Sequence, residues 1–465
     1  MKQIVASSKG IELIESPAPK CGSREICVET HYSFISTGTE LAALEQVQES
    51  SANISKHIIS NPDLIKKIGT KITGKGIQET LKDINQYISK RKHQTHKLTP
   101  LGYSVSGKVI SVGKHVRNFS EGDLVACAGA TLATHSEIVC VPENLSVHIP
   151  PNCDLQSASS VAVGAIAMHA IHQSDLKLGE HILIVGLGTV GFITAQLANA
   201  AGYRVIGYDP DENKINIAKS LGIVDVSNDI SQIKHQIQVQ TDHMGVDSCL
   251  VTAKSKNSEP LSLAIDSTKQ KGRVIIVGEV STQFDRSDIL QKEIEIIPSY
   301  SYGPGRQDPI YENFGLDYPY SHVRWTEKRN MEEYLRLLSN SKINLKSTTK
   351  SYDLSSFKDA YQQLKSPTGN RPTIAVSLKY DVTTKTASKL NRKVDARKHN
   401  DVSNKSIGIA IAGAGKFAQN THLPNLMKLN SISHITGILN TKGTSAIEIA
   451  NLYGAKYGTT DYGEI

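Results

Sequence analysis

The sequence predicts an α/β protein in which a strand-rich lobe precedes a doubly wound parallel sheet, followed by the start of a second sheet of the same kind. Three observations carry this prediction. Strand patterns dominate residues 1–42 and 103–149, strands alternate with helices from 176 to 297, and a glycine-rich turn follows an apolar strand pattern at two places. Such alternation is typical of a parallel sheet with helices on both faces.

The strand-rich lobe is expected over residues 1–175. Residues Glu25 to Tyr32 alternate apolar and polar side chains, as a half-buried strand does. Between residues 44 and 97 apolar residues recur at helical spacing instead, which predicts a helical insertion. Strand patterns resume from Tyr103 and end at Pro150 and Pro151.

The parallel sheet is expected within residues 176–300. Its predicted elements are a strand His181 to Val185, a helix Val190 to Ala201, a strand Arg204 to Tyr208, a helix Lys214 to Leu221, and strands Ser248 to Val251 and Gly272 to Val277. The chain is then expected to return to the first lobe over residues 301–380, with helices Arg329 to Leu338 and Ser355 to Leu364 and a strand Thr373 to Leu378.

Apolar residues become sparse from 381 to 405, which predicts a linker. Residues 406–465 are expected to begin a second unit, with strands Ile407 to Ala412 and Ile435 to Leu439. Because few residues follow its glycine turn, only about half of a nucleotide-binding fold is expected, and a truncated gene product is one reading of the chain.

The first glycine turn has the sequence Gly186-Leu187-Gly188-Thr189-Val190-Gly191, between a predicted strand and a predicted helix. In that context the pattern predicts a dinucleotide site. The first glycine allows the tight turn, the second lets the backbone approach the pyrophosphate, and the third lets helix pack on strand. Asp209 ends the next strand, where an acid binds the adenosine ribose and repels a 2′-phosphate, so NAD is expected and NADP is possible. The alternative is an ordinary turn beside a surface aspartate.

The second glycine turn, Gly413-Ala414-Gly415-Lys416-Phe417-Ala418, also follows an apolar strand pattern. It makes Gly413, Gly415 and Phe417 further candidate cofactor residues. Asn440 stands where a charged residue would usually choose between NAD and NADP, so the choice cannot be predicted for this unit.

Residues 1–380 resemble the medium-chain dehydrogenase/reductase family of alcohol dehydrogenases. The resemblance rests on the order of the two lobes, on Leu178-Gly179-Glu180 at the entry to the parallel sheet, on Glu121-Gly122-Asp123-Leu124-Val125 and on Val141-Pro142. It implies a GroES-like lobe, a Rossmann domain and a homodimer or homotetramer.

The chain departs from that family at its zinc ligands. Zinc-dependent members carry Cys before a Gly-Thr-Asp turn, a Gly-His-Glu motif, and a third Cys or Asp. This chain has Thr37 before Gly38-Thr39-Glu40, Gly102-Tyr103-Ser104 for the second motif, and Val163-Gly164 near the third ligand. Thiolate, imidazole and carboxylate ligands are missing there, so we expect no zinc and no metal ligands.

Proton transfer must then come from side chains. Tyr103 is the candidate acid or base, provided that a nearby cation or the nicotinamide charge lowers its pKa, and Thr39 is the candidate relay. The alternative is that Tyr103 only packs in an apolar pocket.

An aromatic segment follows the last strand of the parallel sheet. Its candidate substrate residues are Tyr302, Arg306 and Arg324, which could hydrogen-bond a polyhydroxylated or anionic substrate, and Ser299 is a candidate cofactor residue. The alternative is a dimer-interface loop. The segment is similar to one in bi-domain oxidoreductases that fuse a zinc-less medium-chain dehydrogenase to a Gfo/Idh/MocA-type dehydrogenase, and His422-Leu423-Pro424 and Thr460-Asp461 extend that resemblance.

Composition excludes several classes. The chain has a net charge of +7, 39% hydrophobic residues, no apolar run long enough for a membrane span and no signal-peptide pattern, so a cytoplasmic protein is expected. Basic residues are not concentrated with aromatic ones, so no nucleic-acid partner is expected. The six cysteines stand far apart in sequence, which predicts reduced thiols rather than disulfides.

These observations predict a zinc-independent, NAD(P)-dependent oxidoreductase acting on the secondary alcohol or carbonyl of a small molecule. The fused families imply a sugar or sugar nucleotide in surface-polysaccharide synthesis. The alternatives are a non-catalytic nucleotide-binding or scaffold protein and a quinone or enone reductase.

Overall fold

The computed structural model describes residues 1–36, 38–45, 47, 97–365, 373–382, 390–397 and 406–465. Almost all of the helical insertion expected at 44–97, and Thr37, lie outside these residues. Among the residues described, no helix combines the length and the apolar character that a membrane span requires.

The first lobe is built from antiparallel strands. In chain order they are β1 (Lys2–Ser7), β2 (Gly10–Glu15), β3 (Glu25–Ile35), β4 (Thr99–Pro100), β5 (Ser104–Val112), β6 (Leu124–Ala128), β7 (Ile138–Pro142) and β8 (Ser146–His148). β3 is the longest of them, and it pairs with β5 along one edge and with β7 along part of the other. β1, β2 and β4 form a separate small sheet.

Helices Leu155–Ala158 and Val161–Ser174 lead from this lobe to the parallel sheet. That sheet consists of β9 (His181–Val185), β10 (Arg204–Tyr208), β11 (Val226–Ser227), β12 (Val246–Val251), β13 (Thr268–Ile276) and β14 (Glu295–Pro298). Its order, β11-β10-β9-β12-β13-β14, reverses direction beside β9, as in a Rossmann sheet. β9 is central, and its residues Ile182 to Val185 are buried, which explains its continuous apolar sequence.

Helices cover both faces of the parallel sheet. They are Thr189–Ala200, Glu212–Ser220, Ile230–Gln240, Glu259–Ser267 and Arg286–Lys292. Several begin at an aspartate that accepts a hydrogen bond from a backbone N–H of the first turn: Asp211 does so for Asn213 and Asp229 for Ser231.

The chain then returns to the first lobe through helices Pro309–Glu312, Glu327–Ser339 and Phe357–Lys365 and strands β15 (Thr349–Asp353) and β16 (Ala375–Lys379). β16 pairs with the end of β3, so the last part of this unit completes the first sheet. Thr326 caps the helix Glu327–Ser339 by accepting a hydrogen bond from the N–H of Arg329.

The second unit contains β17 (Lys393–Asp395), β18 (Ile407–Ala412), β19 (Ser433–Leu439) and β20 (Tyr457–Thr459), with helices Leu423–Lys428 and Gly443–Tyr453. β17 lies within the segment expected to be a linker, but it pairs antiparallel with β20. The order β17-β20-β19-β18 leaves β18 at the edge of the described sheet.

The second unit packs against the small sheet of the first lobe. Thr444 donates a hydrogen bond to the side chain of Gln3 at 2.6 Å, and the N–H of Leu98 donates to Glu448 at 3.0 Å. Val5 and Ile14 share a buried apolar cluster with residues of the second unit, among them Ile447. The two units therefore share an apolar interface.

Candidate functional site

A cleft of ≈ 1670 Å³ opens at the carboxyl ends of β9 and β12, between the parallel sheet and the first lobe. This is the point where the strand order reverses, and open α/β sheets bind their ligands there. Its volume exceeds the roughly 300–1,000 Å³ that is usual for a single small ligand, so a dinucleotide and a substrate have room together.

The first glycine turn forms the floor of the cleft. Gly186 has φ +99°, and a Cβ there would lie 2.7 Å from the backbone nitrogen of Ala253. A Cβ on Gly191 would lie 1.8 Å from the carbonyl oxygen of Gly186, whereas a Cβ on Gly188 would meet no protein atom within 4 Å. The first and third glycines are thus needed because a side chain there would collide with the backbone. The second leaves open space where a pyrophosphate could approach.

Thr189 and Val190 also line the cleft, at the start of the helix Thr189–Ala200. The hydroxyl of Thr189 donates a hydrogen bond to the carbonyl oxygen of Ile374, 3.0 Å away, just before β16. This bond fixes the glycine turn against the first lobe, and the N-terminal N–H groups of the helix face the region where anions bind.

Asp209 is 3% exposed, so it is not the surface aspartate of the alternative interpretation. One carboxylate oxygen accepts a hydrogen bond from the N–H of Leu187 at 2.7 Å, and the other accepts one from the N–H of Asp211 at 3.0 Å. Lys214 donates to both oxygens at 3.1 Å and also lines the cleft. The acid therefore supports the glycine turn, and its negative charge is compensated by a lysine that the sequence predictions did not include.

Tyr103 lines the opposite side of the cleft, where the first lobe meets the parallel sheet. Burial raises the pKa of its phenol, and hydrogen bonds to Ser36 and Thr39 and the charge of Glu40 are smaller influences. The expected cation that would lower this pKa is not found among the described residues near the phenol. The shift is opposite in direction to the one expected, so Tyr103 keeps its proton at neutral pH.

A buried polar network lies beneath this phenol. Glu40 accepts hydrogen bonds from the N–H of Ser36 at 2.9 Å and from the hydroxyl of Tyr361, and it lies 3.0 Å from Nε2 of His135. Nδ1 of His135 lies 2.7 Å from the hydroxyl of Ser33. These contacts fix the backbone of Ser36 and hold helical residues 38–45, which carry Thr39, against β3.

Comparison with known proteins agrees with this geometry. Residues 189–313 match the zinc-binding dehydrogenase family. The sorbitol dehydrogenase of Halalkalibacterium halodurans is 27% identical over 303 residues, covering 57% of this chain and 80% of that protein. The structure of galactitol-1-phosphate dehydrogenase from Escherichia coli superposes with a TM-score of 0.59 at 18% identity, covering 81% of this chain and 99% of that one.

A further similar structure is that of 2R,3R-butanediol dehydrogenase from Bacillus subtilis, with a TM-score of 0.58 at 16% identity over 82% of this chain and 99% of that one. The chain has the alcohol dehydrogenase-like, medium-chain dehydrogenase fold. This confirms the predicted fold class, and the match to curated dehydrogenases confirms the prediction of an NAD(P)-dependent dehydrogenase or reductase.

The residues at the family's zinc positions do not fit that metal. At and beside these positions the described side chains that line the cleft are the hydroxyls of Tyr103, Thr39 and Ser36. Gly164 offers no side chain. Glu40 and His135 are bonded to each other and to neighbouring groups. No group of three metal-binding His, Cys, Asp or Glu side chains occurs in the described part of the chain. The matched range 189–313 includes none of these positions.

The aromatic segment lies apart from the cleft wall. Tyr302 is 3% exposed, with its ring centroid 6.5 Å from that of Tyr103, and Arg306 forms an ion pair with Glu312. Arg324 stacks on Trp325 at 3.8 Å on the outside of the protein. Ser299 follows the edge strand β14 and does not line the cleft either. The structure thus does not bring these predicted residues to the glycine turn.

The second glycine turn has a similar backbone. Gly413 has φ +84°, and a Cβ on either Gly413 or Gly415 would meet nothing within 4 Å. Phe417 is 69% exposed and contacts His422 edge-on. Asn440 donates a hydrogen bond to the carbonyl oxygen of Ala414 at 3.4 Å, so its side chain supports the turn.

Some cleft residues were not found from the sequence. Thr252 and Ala253 follow β12 and face the glycine turn, and the hydroxyl of Thr252 donates to the carbonyl oxygen of Gly186 at 2.6 Å. No local pattern marks them. Lys214 could have been identified as a partner of Asp209, because it lies five residues after that predicted acid, on the first turn of a predicted helix.

Proposed function

We propose that this protein transfers hydride between a nicotinamide cofactor and a secondary alcohol or carbonyl of a polyol or sugar, without zinc. The observation that carries the proposal is that one cleft is lined by both the Gly186 turn and the Tyr103 phenol. The names of the dehydrogenases similar to this chain support an alcohol or polyol as the substrate class. A role in surface-polysaccharide synthesis stays a prediction from the family resemblance.

The described residues fit the cofactor, since Gly188 leaves room for a pyrophosphate and helix N–H groups face it. Bound NAD(P)H would supply the hydride. Tyr103 would donate its proton to the substrate oxygen, because a phenol whose pKa is raised holds that proton at neutral pH. The hydroxyls of Thr39, which is exposed, and Ser36 would relay a proton from solvent back to the phenol.

Two measurements on the purified chain test this function. NADH titration followed by nicotinamide fluorescence is expected to show saturable binding, and assays with ketoses, polyols and sugar nucleotides are expected to change the nicotinamide absorbance. Binding without turnover on any of these substrates would favour the non-catalytic nucleotide-binding protein. Turnover confined to quinones or enones would show that the substrate belongs to those classes and is not a polyol or sugar.

Zinc independence gives the first prediction. Elemental analysis of the purified chain is expected to find far less than one zinc per chain, and dialysis against a chelator is expected to leave turnover unchanged. The reason is that hydroxyls and a glycine occupy the positions where thiolate, imidazole or carboxylate would be needed. One zinc per chain, together with loss of turnover on chelation, would contradict the proposal.

Cofactor choice gives the second prediction. Lys214→Ala leaves the charge of Asp209 uncompensated, so the variant is expected to lose NADPH affinity more than NADH affinity. The difference should be about 1 kcal/mol, or roughly fivefold in the ratio of the two dissociation constants.

Fluorescence titration with both cofactors measures that ratio. Lys254→Ala is the matched control, because Lys254 also lines the cleft but pairs with Glu279 at 3.2 Å. The control should leave the ratio unchanged. An equal loss of both cofactors in Lys214→Ala would show that the lysine does not discriminate between them.

We further propose that residues 406–465 begin a second dinucleotide-binding unit of the Gfo/Idh/MocA type. The positive φ of Gly413, the open space at Gly415 and the parallel pairing of β18, β19 and β20 support this proposal. Changing Gly415 to Ala tests it, since a second NADH equivalent should be lost from the titration while the first remains.

A further inference from the structure

His135 lies between the two segments that carry the proposed proton relay. It belongs to the loop between β6 and β7 and is 0% exposed. Its backbone N–H donates a hydrogen bond to the carbonyl oxygen of Leu101 at 2.8 Å. Its ring lies beside Gly102, since a Cβ on that glycine would be 2.7 Å from Nδ1 of His135. The histidine therefore supports the backbone that leads directly into Tyr103.

The same ring holds the other half of the relay through Glu40. Nε2 of His135 lies 3.0 Å from one carboxylate oxygen of Glu40, the residue that follows Thr39. The other carboxylate oxygen accepts a hydrogen bond from the N–H of Ser36 at 2.9 Å. One side of the imidazole thus contacts the residue before the phenol, and the opposite side contacts the carboxylate that fixes the two hydroxyl-bearing residues.

The hydrogen-bond pattern assigns a proton to Nε2 of His135. The carboxylate of Glu40 also accepts from the N–H of Ser36 and from the hydroxyl of Tyr361. An ionised carboxylate has only acceptor sites, so beside ionised Glu40 the Nε2 atom carries a proton and donates it. Nδ1 lies 2.7 Å from the hydroxyl of Ser33 in β3. Contacts at both nitrogens therefore fix the orientation of the ring.

We propose that His135 and Glu40 are positioning residues for the proton transfer by Tyr103. They hold its phenol at the correct distance from the hydroxyls of Ser36 and Thr39. The proposal rests on the function proposed above. Both residues act through others, because neither lines the cleft and Glu40 is only 2% exposed. A misplacement of about 1 Å between reacting groups is enough to slow a reaction strongly, so loss of this support should reach the phenol.

Two replacements of His135 test the hydrogen bond to Glu40. His135→Leu removes both ring nitrogens, whereas His135→Gln keeps an N–H group that can donate to Glu40. The leucine variant is expected to lower turnover at least about tenfold with the dissociation constant of NADH unchanged, and the glutamine variant should recover most of that loss. Thermal unfolding of each variant shows the temperature range in which the kinetics report folded protein. Unchanged turnover in His135→Leu, or equal losses in both variants, would overturn the proposal.

A double-variant cycle with Tyr103→Phe separates this proposal from the proposed function. If His135 acts through the phenol, His135→Leu should lower turnover less than about twofold once the phenol is gone. The same factor of loss in both backgrounds would refute the positioning role and leave the role of Tyr103 intact. Unchanged turnover in Tyr103→Phe alone would instead refute the proposed proton transfer, and the positioning role with it.

Glu40→Gln is a second route to the same test, because it preserves the volume of the side chain. Its amide N–H group would face groups that themselves donate, so the same loss of turnover and the same dependence on Tyr103 are expected. His181→Leu is the control. His181 begins β9, at the end of the strand away from the glycine turn, and its Nδ1 lies 4.0 Å from Asp247. This variant should retain turnover, and a loss equal to that of His135→Leu would overturn the proposal.

Discussion

Replacing Tyr103 by Phe is expected to lower turnover about a hundredfold or more while leaving the dissociation constant of NADH unchanged. The phenylalanine keeps the ring that packs in the cleft and removes only the hydroxyl that bonds to Ser36 and Thr39. If Tyr103 only fills space, the variant should turn over at nearly the original rate. Steady-state kinetics and NADH titration on the same preparation separate the two outcomes.

Tyr302→Phe is the matched control for this prediction. Its ring lies 6.5 Å from that of Tyr103 and is also buried, but Tyr302 does not line the cleft. The control should retain turnover. A similar loss in both variants would mean that the pair of tyrosines matters for packing and not for proton transfer.

The pH dependence of the original enzyme follows from the same phenol. Its pKa lies above the usual value near 10, because the phenol is buried. Carbonyl reduction needs the protonated form, which is present below that pKa and is lost as the pH rises through it. Alcohol oxidation needs the ionised form, so its rate should still be rising at about pH 10. In Tyr103→Phe, neither the fall of the carbonyl-reduction rate nor the rise of the alcohol-oxidation rate with increasing pH should remain.

The parts of the fold that could be predicted are those whose pattern is strong within one segment. β9 and β10 have the bounds expected from the sequence, since central strands of a parallel sheet are continuous apolar runs. The helix Ile230–Gln240 was missed because it buries only Ile233 and Ile237 among polar neighbours. β11 was missed because two residues carry no periodicity.

In the candidate site, too, the residues that could be predicted are those that belong to one local segment. The glycine turn and Asp209 belong to one local motif with a fixed spacing, so the sequence alone could name them. The contact of Gly186 with Ala253 depends on β12 lying beside β9, and the meeting of His135 with Glu40 joins two segments that are distant in sequence. Such pairings are non-local, and a single sequence does not reveal them.

The raised pKa of Tyr103 depends on neighbours that the residue type alone does not reveal. A phenol whose pKa is lowered by a cation can act both as an acid and as a base. The sequence contains many lysines and arginines that could supply that cation. The folded chain instead surrounds this phenol with apolar residues, two hydroxyls and Glu40. The direction of a pKa shift is set by neighbours that fold together from β3, β5 and the parallel sheet.

Gly188→Ala is expected to weaken NADH binding by about ten- to a hundredfold, or ~1.4–2.8 kcal/mol, without lowering the melting temperature. In the described chain the added methyl would meet no atom within 4 Å, and the φ of −70° suits any residue. The methyl would instead occupy the space that the pyrophosphate needs.

Gly191→Ala is the contrasting variant, since its methyl would lie 1.8 Å from the carbonyl oxygen of Gly186. That variant should lose about 1–3 kcal/mol of stability by overpacking, together with cofactor binding. NADH titration and thermal unfolding of both variants would distinguish a lost ligand contact from a damaged fold. Unchanged NADH affinity in Gly188→Ala would show that the cofactor does not bind at this turn.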